Sequence, residues 1–339
     1  MHIAIRVDGG PDIGYGHLVR TGAIAAEMAG RGHRITYATT TPDSVRQVTE
    51  CGAEVVALES RDNPTPFVDW LRTAKPDTVL LDVYPAGTRY QQAVRAMSHL
   101  AVVSDDDRHM ICADLLINGN LYAGDLEYEF AGNNPRQLLG SEYALLRKRL
   151  RELAEQSPPW REHPERALIT MGGSDSAALT PTVLRAFDGH DLTIDAVIGP
   201  GFSDRLEHEV NRVATDLGSE VRVTRNPDDL PDRMFRADFA VCTASTTTYE
   251  LLALGTPLIA CRVVDNQRRI ASSLRGHDAG TVIEHPDDER PLREAIDAYV
   301  ANADLRRHRR NRGRELVDGK GTERTIAELI SNRGANTRV

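Results

Sequence analysis

Short apolar runs alternate with helical patterns along most of the chain, and a proline-rich stretch at 154–166 divides the alternation into two halves of similar size. The strand-like runs are 3–7, 34–38, 54–57, 78–81, 100–104 and 115–117 before the prolines, and 167–171, 193–198, 221–224, 239–242 and 258–262 after them. Strands that are separated by helices favour a parallel sheet with right-handed crossovers. The pattern therefore predicts an α/β protein with two doubly wound, Rossmann-like domains.

The length of the chain supports the same division, because 339 residues exceed what one hydrophobic core usually holds. We expect a first domain at 1–153, a linker at 154–166 and a second domain at 167–300. A last helical segment, 301–332, is expected to pack back on the first domain. Since ligands of open α/β sheets bind beyond the carboxyl ends of the strands, two such domains predict a ligand in an interdomain cleft.

Charge and hydropathy exclude several classes of protein. The net charge of −9 comes from acidic residues spread along the chain, which argues against nucleic acid as the main partner. No apolar run approaches the ~18–20 residues of a membrane span. Strand-like sequence from the first residues argues against a signal peptide, so we expect a cytoplasmic monomer. The arginine-rich run 306–314 fits a nucleic-acid patch or, as we favour, a solvated helix face.

The sequence also lacks the motifs of several common chemistries. Cys51, Cys112, Cys242 and Cys261 show neither CxxC nor Cys–His ligand spacing, so we expect reduced thiols and no metal site. There is no P-loop, no dinucleotide-type GxGxxG with its acidic partner, and no GxSxG nucleophile elbow. Kinase and redox functions are therefore disfavoured, and no cofactor is expected.

The opening stretch 3–20, IAIRVDGGPDIGYGHLVR, joins an apolar run to a glycine-rich loop that ends at the start of a helix. Its glycines, Gly14 and Gly16 among them, let the backbone approach a ligand closely. The helix that follows presents free N–H groups and a positive dipole end, with His17 and Arg20 beside them. An imidazole, whose ordinary pKa is about 6.5, suits chemistry on a phosphorylated metabolite at such a place.

Two loops of the second half have phosphate-binding character. The loop 171–175, MGGSD, follows a strand, and its small residues expose backbone N–H groups to which Ser174 adds a hydroxyl. The loop 242–250, CTASTTTYE, places a run of hydroxyls at a helix start and Glu250 in the first turns. Such a pair suits the diphosphate and ribose of a nucleotide. The alternative is that the hydroxyls only cap the helix and that Glu250 faces solvent.

Polar residues also follow the predicted strands of the first half. Asp82 and Tyr84 come after one strand, the aspartates 105–107 after the next, and Asn118 and Asn120 after the last. Turn chemistry alone accounts for many Asp and Asn residues at such positions. The parallel topology nevertheless predicts that several of these strand ends lie on the same rim as His17.

Several motifs, taken in order, resemble one family. The opening reads Arg-x-Asp, then Ile-Gly-x-Gly-His, then Arg, and it is followed by LLDVY, VSDDD, ADLLINGNLYA, GSEYALLR, MGGSD, TYELLALGTP and DNQRRIA. Across nearly the whole chain they resemble the UDP-sugar hydrolases of pseudaminic acid biosynthesis, which act on UDP-2,4-diacetamido-2,4,6-trideoxy-β-L-altropyranose. The chain is equally similar to the related spore-coat polysaccharide biosynthesis proteins.

The resemblance implies the GT-B fold, with two Rossmann-like domains around an interdomain cleft. It also implies that a UDP-sugar binds with its nucleotide on the second domain and its sugar toward the first. The predicted nucleotide-binding residues lie in the two loops of the second half and are Gly172, Gly173, Ser174, Asp175, Ser245, Thr246, Thr247 and Glu250. The predicted substrate-binding residues lie in the matching motifs and are Gly14, Gly16, Arg20, Asp82, Tyr84, Asn118, Asn120, Tyr143, Asn266 and Gln267.

The resemblance further implies that His17 is the principal catalytic residue. We expect His17 to accept a proton from water that attacks the anomeric carbon, with Asp8 holding the imidazole tautomer. Inversion and metal-independent C–O cleavage would release UDP and a free amino-deoxy sugar for nonulosonic acid or surface polysaccharide biosynthesis. The alternatives are a GT-B glycosyltransferase with a UDP-sugar donor, a nucleotide-sugar 2-epimerase, and a non-catalytic nucleotide-sugar-binding protein. The sequence does not specify the sugar or the nucleobase.

Overall fold

The computed structural model describes residues 1–48 and 52–331, and the chain forms two compact units. Unit 1 consists of Met1–Lys148 and the segment from Lys320 onward, and unit 2 consists of Arg149–Gly319. The chain therefore leaves unit 1 before the predicted linker, and 154–166 belongs to unit 2. Of the predicted last helical segment, 301–332, only the part from Lys320 belongs to unit 1.

Unit 1 contains a seven-stranded parallel sheet within its described residues. The elements are β1 (His2–Val7), α1 (Gly16–Gly30), β2 (Arg34–Thr39), α2 (Pro42–Val48), β3 (Glu54–Ala57), α3 (Thr65–Ala74), β4 (Thr78–Asp82), α4 (Thr88–Arg95), β5 (His99–Val103), β6 (Leu115–Asn118) and β7 (Arg136–Leu139). Neighbouring strands pair in the order β3-β2-β1-β4-β5-β6-β7.

Unit 2 contains a six-stranded parallel sheet in the order β10-β9-β8-β11-β12-β13. Its elements are α5 (Lys148–Ala154), β8 (Arg166–Thr170), α6 (Thr180–Ala186), β9 (Thr193–Ile198), α7 (Asp204–Asp216), β10 (Glu220–Arg225), α8 (Leu230–Arg236), β11 (Phe239–Thr243), α9 (Thr246–Leu254), β12 (Leu258–Cys261), α10 (Arg268–Gly276), β13 (Thr281–Ile283), α11 (Glu289–Ala301) and α12 (Ala303–Leu316). The chain then returns to unit 1 with α13 (Gly321–Ser331).

Each sheet is covered by helices on both faces, as a doubly wound fold requires. Along β1, the side chains of Ile3 and Ile5 join one apolar cluster and that of Ala4 joins another, because successive strand residues point to opposite faces. The first cluster packs β1 against α1 and α13, through Leu18 and Ile326 among others. The predicted α/β architecture with two doubly wound sheets is thus confirmed.

Two strands were missing from the prediction, and both lie at sheet edges. β7 (RQLL) has two exposed residues, and β13 (TVI) has only three residues, so neither carries the continuous apolar run of a central strand. The helix α2 is described as far as Val48, and Cys51 lies outside the described residues. Cys112, Cys242 and Cys261 are buried free thiols.

The order of the strands places one switch point in each sheet. In unit 1 the chain winds outward from β1 through β2 and β3, and then from β4 in the opposite direction, so β1 and β4 are neighbours at the reversal. In unit 2 the neighbours at the reversal are β8 and β11. Ligands of such sheets bind outside the carboxyl ends of these strands. The loops that follow β1, β4, β8 and β11 are therefore the first places to look for a site.

The predicted linker is fastened to α12 by the arginine-rich run. Arg306, Arg310 and Arg314 lie four residues apart on one helix face and donate to main-chain carbonyls between residues 154 and 162, for example from Arg306 Nη2 to Glu162 O at 2.7 Å. Arg306 is fully buried and lies over the Trp160 ring. The expectation of a solvated face is therefore wrong for Arg306, whose guanidinium is used within unit 2.

Two further findings concern the described residues as a whole. None of their helices combines the length and apolar character needed to cross a membrane. Nor do residues 1–48 and 52–331 bring together three or more His, Cys, Asp or Glu side chains in an arrangement suited to a metal ion.

Candidate functional site

The loop between β1 and α1 is a tight turn that depends on glycine. Gly10 and Gly14 have φ angles of +144° and +94°, and their main chains exchange hydrogen bonds of 3.1 and 2.7 Å. A Cβ at Gly9 would lie 2.5 Å from Leu18 Cγ, so the loop also packs closely on the helix. The turn delivers His17 to the first turn of α1, above the carboxyl end of β1. The presence of glycine at position 14 is thus explained by the positive φ angle of the loop that carries His17.

His17 meets Asp82, the last residue of β4. His17 Nδ1 lies 2.7 Å from Asp82 Oδ1, and both side chains are buried. Burial alone would raise the pKa of the Asp82 carboxyl, but the adjacent Arg20 guanidinium and His17 hold it well below its ordinary value. An ionised carboxylate only accepts hydrogen bonds, so Nδ1 carries the proton of this contact. The lone pair of the neutral ring is then on Nε2, for which the described residues provide no hydrogen-bond partner.

Arg20 joins this pair to a second carboxylate. It donates from Nε and Nη2 to the two oxygens of Asp82, each at 2.7 Å, and from Nη1 to both oxygens of Asp105 at 2.7 and 2.9 Å. Burial disfavours the charge of Arg20, but Asp105 and Asp82 raise its pKa well above the ordinary value. Burial likewise opposes ionisation of Asp105, and Arg20 lowers the pKa of that carboxyl. His17, Arg20, Asp82 and Asp105 therefore form one centre of unit 1, in which two carboxylates surround one guanidinium.

Tyr84 packs edge-on against His17 and also contacts the second carboxylate. The two rings are perpendicular, with centroids 4.7 Å apart. The Tyr84 hydroxyl donates to Asp105 Oδ2 at 3.4 Å, and the Arg108 guanidinium lies 5.4 Å from the centre of the Tyr84 ring. Burial, followed by the charge of Asp105, raises the pKa of Tyr84, so its phenol stays protonated at neutral pH. Tyr84 thus limits the positions that the imidazole can adopt.

Asn118 and Asn120 support the second carboxylate from the end of β6. Asn120 Nδ2 donates to Asp105 Oδ1 at 2.9 Å and to Asn118 Oδ1 at 2.6 Å. Asn118 Nδ2 donates in turn to the Tyr128 hydroxyl at 2.8 Å. Both amides are buried and engaged inside unit 1. Their observed role is to fix Asp105, and direct binding of substrate by them stays a prediction.

The prediction that Asp8 holds the imidazole of His17 is wrong, because Asp82 occupies that position. Asp8 accepts instead from Arg6, at 2.7 and 2.9 Å, and from the Thr39 hydroxyl and the Thr40 main chain. Burial would raise the pKa of Asp8, but its bonds to Arg6 lower it overall. Asp8 therefore ties the end of β1 to the end of β2, beneath the loop that carries His17.

Tyr143 has its main chain beside the end of β6, since a Cβ built at Gly119 would lie 2.6 Å from the Tyr143 carbonyl oxygen. It ends a short 3₁₀ turn, Ser141–Tyr143, and its half-buried ring packs against the apolar cluster of α1 and α13. Gly16 is the first residue of α1 and directly precedes His17. Substrate binding by Tyr143 and Gly16 stays a prediction.

The two phosphate-type loops of unit 2 lie side by side at the switch point between β8 and β11. Gly172 has a φ angle of +84°, and a Cβ built there would lie 3.6 Å from Thr243 Oγ1 in the other loop. A Cβ at Gly199 would lie only 2.4 Å from the carbonyl oxygen of Gly173, so that glycine allows the loop its position. Gly172, Gly173 and Ser174 are partly exposed. The structure thus brings the two loops together, as the sequence had predicted.

The N-terminus of α9 lacks a side-chain cap. Ser245 occupies the N-cap position, yet its side chain makes no capping bond and instead pairs with Thr243 Oγ1 at 3.0 Å. Ser245, Thr246 and Thr247 are partly exposed there. This disfavours the alternative that the hydroxyls simply cap the helix. Glu250 is buried rather than exposed to solvent.

Asp175 has a structural role that the sequence prediction did not assign. Its carboxylate accepts from the main-chain N–H of Leu179 at 2.9 Å and from the N–H and hydroxyl of Thr180 at 2.8 and 2.6 Å. These contacts cap α6 and engage both oxygens inside unit 2, and binding of the nucleotide by Asp175 stays a prediction. Gln267 similarly accepts from the main chain of Val263 at 2.7 Å.

Asn266 is exposed in the 3₁₀ turn Asp265–Gln267, which follows β12.

Asp105 is the residue of the unit 1 centre that the predicted site lacked. The run VSDDD marked its neighbourhood, but three consecutive aspartates gave no reason to select the first. Only the fold shows that it shares Arg20 with Asp82.

Comparison with known sequences gives distant relatives. No protein-family model matches the chain. The spore coat polysaccharide biosynthesis protein SpsG of Bacillus subtilis is 24% identical over 339 residues, which cover 97% of this chain and 98% of SpsG. The uncharacterized protein MJ1062 of Methanocaldococcus jannaschii is 24% identical over 281 residues, or 79% of this chain. That match spans 57% of MJ1062, a little more than half of its length.

Comparison with solved structures shows the fold. MurG of Acinetobacter baumannii superposes with a TM-score of 0.68 and 16% identity, over 97% of this chain and 99% of MurG. The calicheamicin glycosyltransferase CalG4 gives a TM-score of 0.67 and 18% identity, over 99% of both chains. The spinosyn rhamnosyltransferase SpnG complexed with thymidine diphosphate gives 0.64 and 14%, over 96% and 99%. The two parallel-sheet α/β domains of this chain have the GT-B fold.

Proposed function

We propose that this protein hydrolyses a UDP-sugar and releases UDP and a free amino-deoxy sugar for nonulosonic acid or surface polysaccharide biosynthesis. In this proposal, unit 2 binds the nucleotide and unit 1 supplies the base that activates water. The name of the SpsG relative, which refers to polysaccharide biosynthesis, supports the substrate class. The motifs that resemble the UDP-sugar hydrolases support the reaction.

The observation that carries the proposal is the contact between His17 and Asp82. With Nδ1 bound to an ionised carboxylate, Nε2 is the basic nitrogen, and Asp82 is placed to stabilise the imidazolium that forms when Nε2 accepts a proton. The water oxygen attacks the anomeric carbon, Nε2 takes the water proton, and the bond from that carbon to the diphosphate oxygen breaks. The electron pair of that bond leaves with UDP, and attack from the opposite side inverts the anomeric centre.

The loops at the β8–β11 switch point suit the departing diphosphate. Gly172 and Gly173 are partly exposed, and the start of α9, which lacks a side-chain cap, adds its N–H groups and positive dipole end. Donors that are fixed in place before the reaction stabilise the charge that develops on the leaving group. That SpnG, a protein of the same fold, was solved with thymidine diphosphate is consistent with nucleotide binding.

A glycosyltransferase is the second candidate, and the structural neighbours favour it. MurG is related in fold, and CalG4 and SpnG are glycosyltransferases by name. The same base can deprotonate an acceptor hydroxyl instead of water, so the centre in unit 1 serves either reaction. The two differ in the species that attacks the anomeric carbon.

A panel of UDP- and TDP-sugars tests the proposal, with each sugar incubated with the purified full chain in the presence and absence of sugar acceptors. Hydrolysis releases nucleoside diphosphate and free sugar without an acceptor, and NMR of the first-formed anomer reports inversion. Release that requires an acceptor would replace the hydrolase with the transferase. If the protein binds UDP or TDP but turns over none of the sugars in the panel, the hydrolase and the transferase proposals are both overturned.

A further inference from the structure

Arg20 binds two carboxylates, and it uses different donor atoms for each. Its Nε and Nη2 face Asp82, whereas Nη1 donates to both oxygens of Asp105. Nη2 also lies 3.0 Å from His17 Nδ1, close enough to compete with the imidazole for Asp82 Oδ1. The position of the guanidinium therefore decides how much of the Asp82 carboxylate is left to His17.

The charges of the centre make the second carboxylate necessary. If Asp82 were the only carboxylate, Arg20 would neutralise it, and little attraction would remain for an imidazolium. With Asp105 present, two negative charges surround one permanent positive charge, so the group carries one net negative charge when the imidazole is neutral. An imidazolium at His17 then brings the group to zero.

Asp105 is held where this role requires it. Asn120 donates to Oδ1, the Tyr84 hydroxyl donates to Oδ2, and the side chain is mostly buried at 17% exposure. The Tyr122 hydroxyl donates to the Asp105 main-chain carbonyl at 3.1 Å and fixes the backbone as well. A carboxylate with so little freedom is pre-organised for Arg20.

We propose that Asp105 is a positioning residue for the proposed reaction: it anchors Arg20 and balances its charge, so that the Asp82 carboxylate serves His17. Asp105 acts through Arg20 and Asp82. This inference rests on the proposed function, in which His17 is the base.

A double-mutant cycle separates this role from a general contribution to folding. Asp105→Asn keeps the shape and the acceptor oxygen but removes the charge, and we expect it to lower kcat for UDP release about 10- to 100-fold, with little change in KM. In an Arg20→Gln background the same substitution should change kcat by less than about twofold, because the residue through which it acts is gone. An equal loss in both backgrounds, or a wild-type rate in Asp105→Asn, would overturn the proposal.

Asp106→Asn is the matched control, because Asp106 is the next residue and pairs with the exposed Arg108. It should leave kcat unchanged. A second readout does not depend on turnover: the low-field Nδ1 proton resonance of His17 in 15N-histidine-labelled protein. It should be sharp in wild type and Asp106→Asn, and shifted or broadened in Asp105→Asn. An unchanged resonance in Asp105→Asn would contradict the role of Asp105, whereas UDP release that survives His17→Asn would contradict the proposed function itself.

Discussion

His17 Nδ1 and Asp82 Oδ1 lie 2.7 Å apart, although 65 residues separate them in the sequence. The contact joins the first turn of α1, the helix that follows β1, to the last residue of β4, and β1 and β4 are neighbours where the strand order of unit 1 reverses. It fixes one ring nitrogen as a donor and makes the other a base. The proposed chemistry of the protein depends on this relationship.

The first prediction concerns the carboxylate of that pair. Asp82→Asn keeps the shape of the side chain but removes the charge that stabilises an imidazolium, and its amide can turn an N–H toward Nδ1. We expect kcat for UDP release to fall about 100-fold or more, while the Kd of UDP stays within twofold of wild type. Steady-state kinetics and calorimetric titration with UDP measure the two quantities. A kcat within threefold of wild type would show that Asp82 does not orient the base.

The same carboxylates predict how stability depends on pH. The pKa values of Asp8, Asp82 and Asp105 are all lower in the folded protein than the ordinary value of about 3.9. Their stabilising contribution is therefore complete above about pH 4–5 and is lost as the pH falls through the lower folded-state values. Urea midpoints should change little near pH 5, fall as the pH is lowered from about 4 toward 2, and fall less steeply in Asp82→Asn. Parallel curves for the two proteins would contradict this assignment.

The nucleotide loop gives a prediction at a residue that is not a proposed ligand. Gly199→Ala places a Cβ 2.4 Å from the Gly173 carbonyl oxygen, so the loop must move. With a cost of order 1–3 kcal/mol for such strain, the Kd of UDP should rise about tenfold or more. Gly218→Ala is the matched control, since a Cβ there meets no atom within 4 Å. Equal UDP affinity in the two variants would show that the 172–173 loop does not contact the nucleotide.

The arginines of α12 give a prediction about the stretch that resembled a linker. Arg310→Met removes donors to the carbonyls of Pro158 and Pro159, whereas Arg312→Met on the same helix removes a bond to the His277 carbonyl. Amide exchange in 156–162 should accelerate about tenfold in Arg310→Met only. Hydrogen exchange followed by mass spectrometry measures it. The same acceleration in Arg312→Met would mean that the two arginines contribute alike.

Much of the fold could be predicted from the sequence, because central parallel strands such as β4 and β5 are largely apolar. Edge strands such as β7 could not, since an exposed edge does not require that pattern. The boundaries of the two units differ from the predicted domain boundaries for a different reason. Prolines at 158, 159 and 164 predict a break in a helix, but contacts between residues more than 140 positions apart decide that this stretch belongs to unit 2.

The candidate site was predictable in its location but not in its pairing. His17 and Asp82 both follow from their places at strand ends, and the parallel topology brings those ends together. The partner of His17 was wrongly predicted as Asp8, because nearness in sequence says little about side chains across a sheet. The carboxylate of Asp8 is used by Arg6, two residues earlier on the same strand face. Asp105 shows the same limit, since its role depends on an arginine 85 residues away.

The rate of UDP release by His17→Asn shows most directly whether His17 is the base of a UDP-releasing reaction. We expect the substitution nearly to abolish release, on every sugar that the wild-type protein turns over, and to leave the Kd of UDP unchanged. His33→Asn, in the turn between the same helix and β2, should release UDP at the wild-type rate. Undiminished turnover in His17→Asn would show that His17 is not the base.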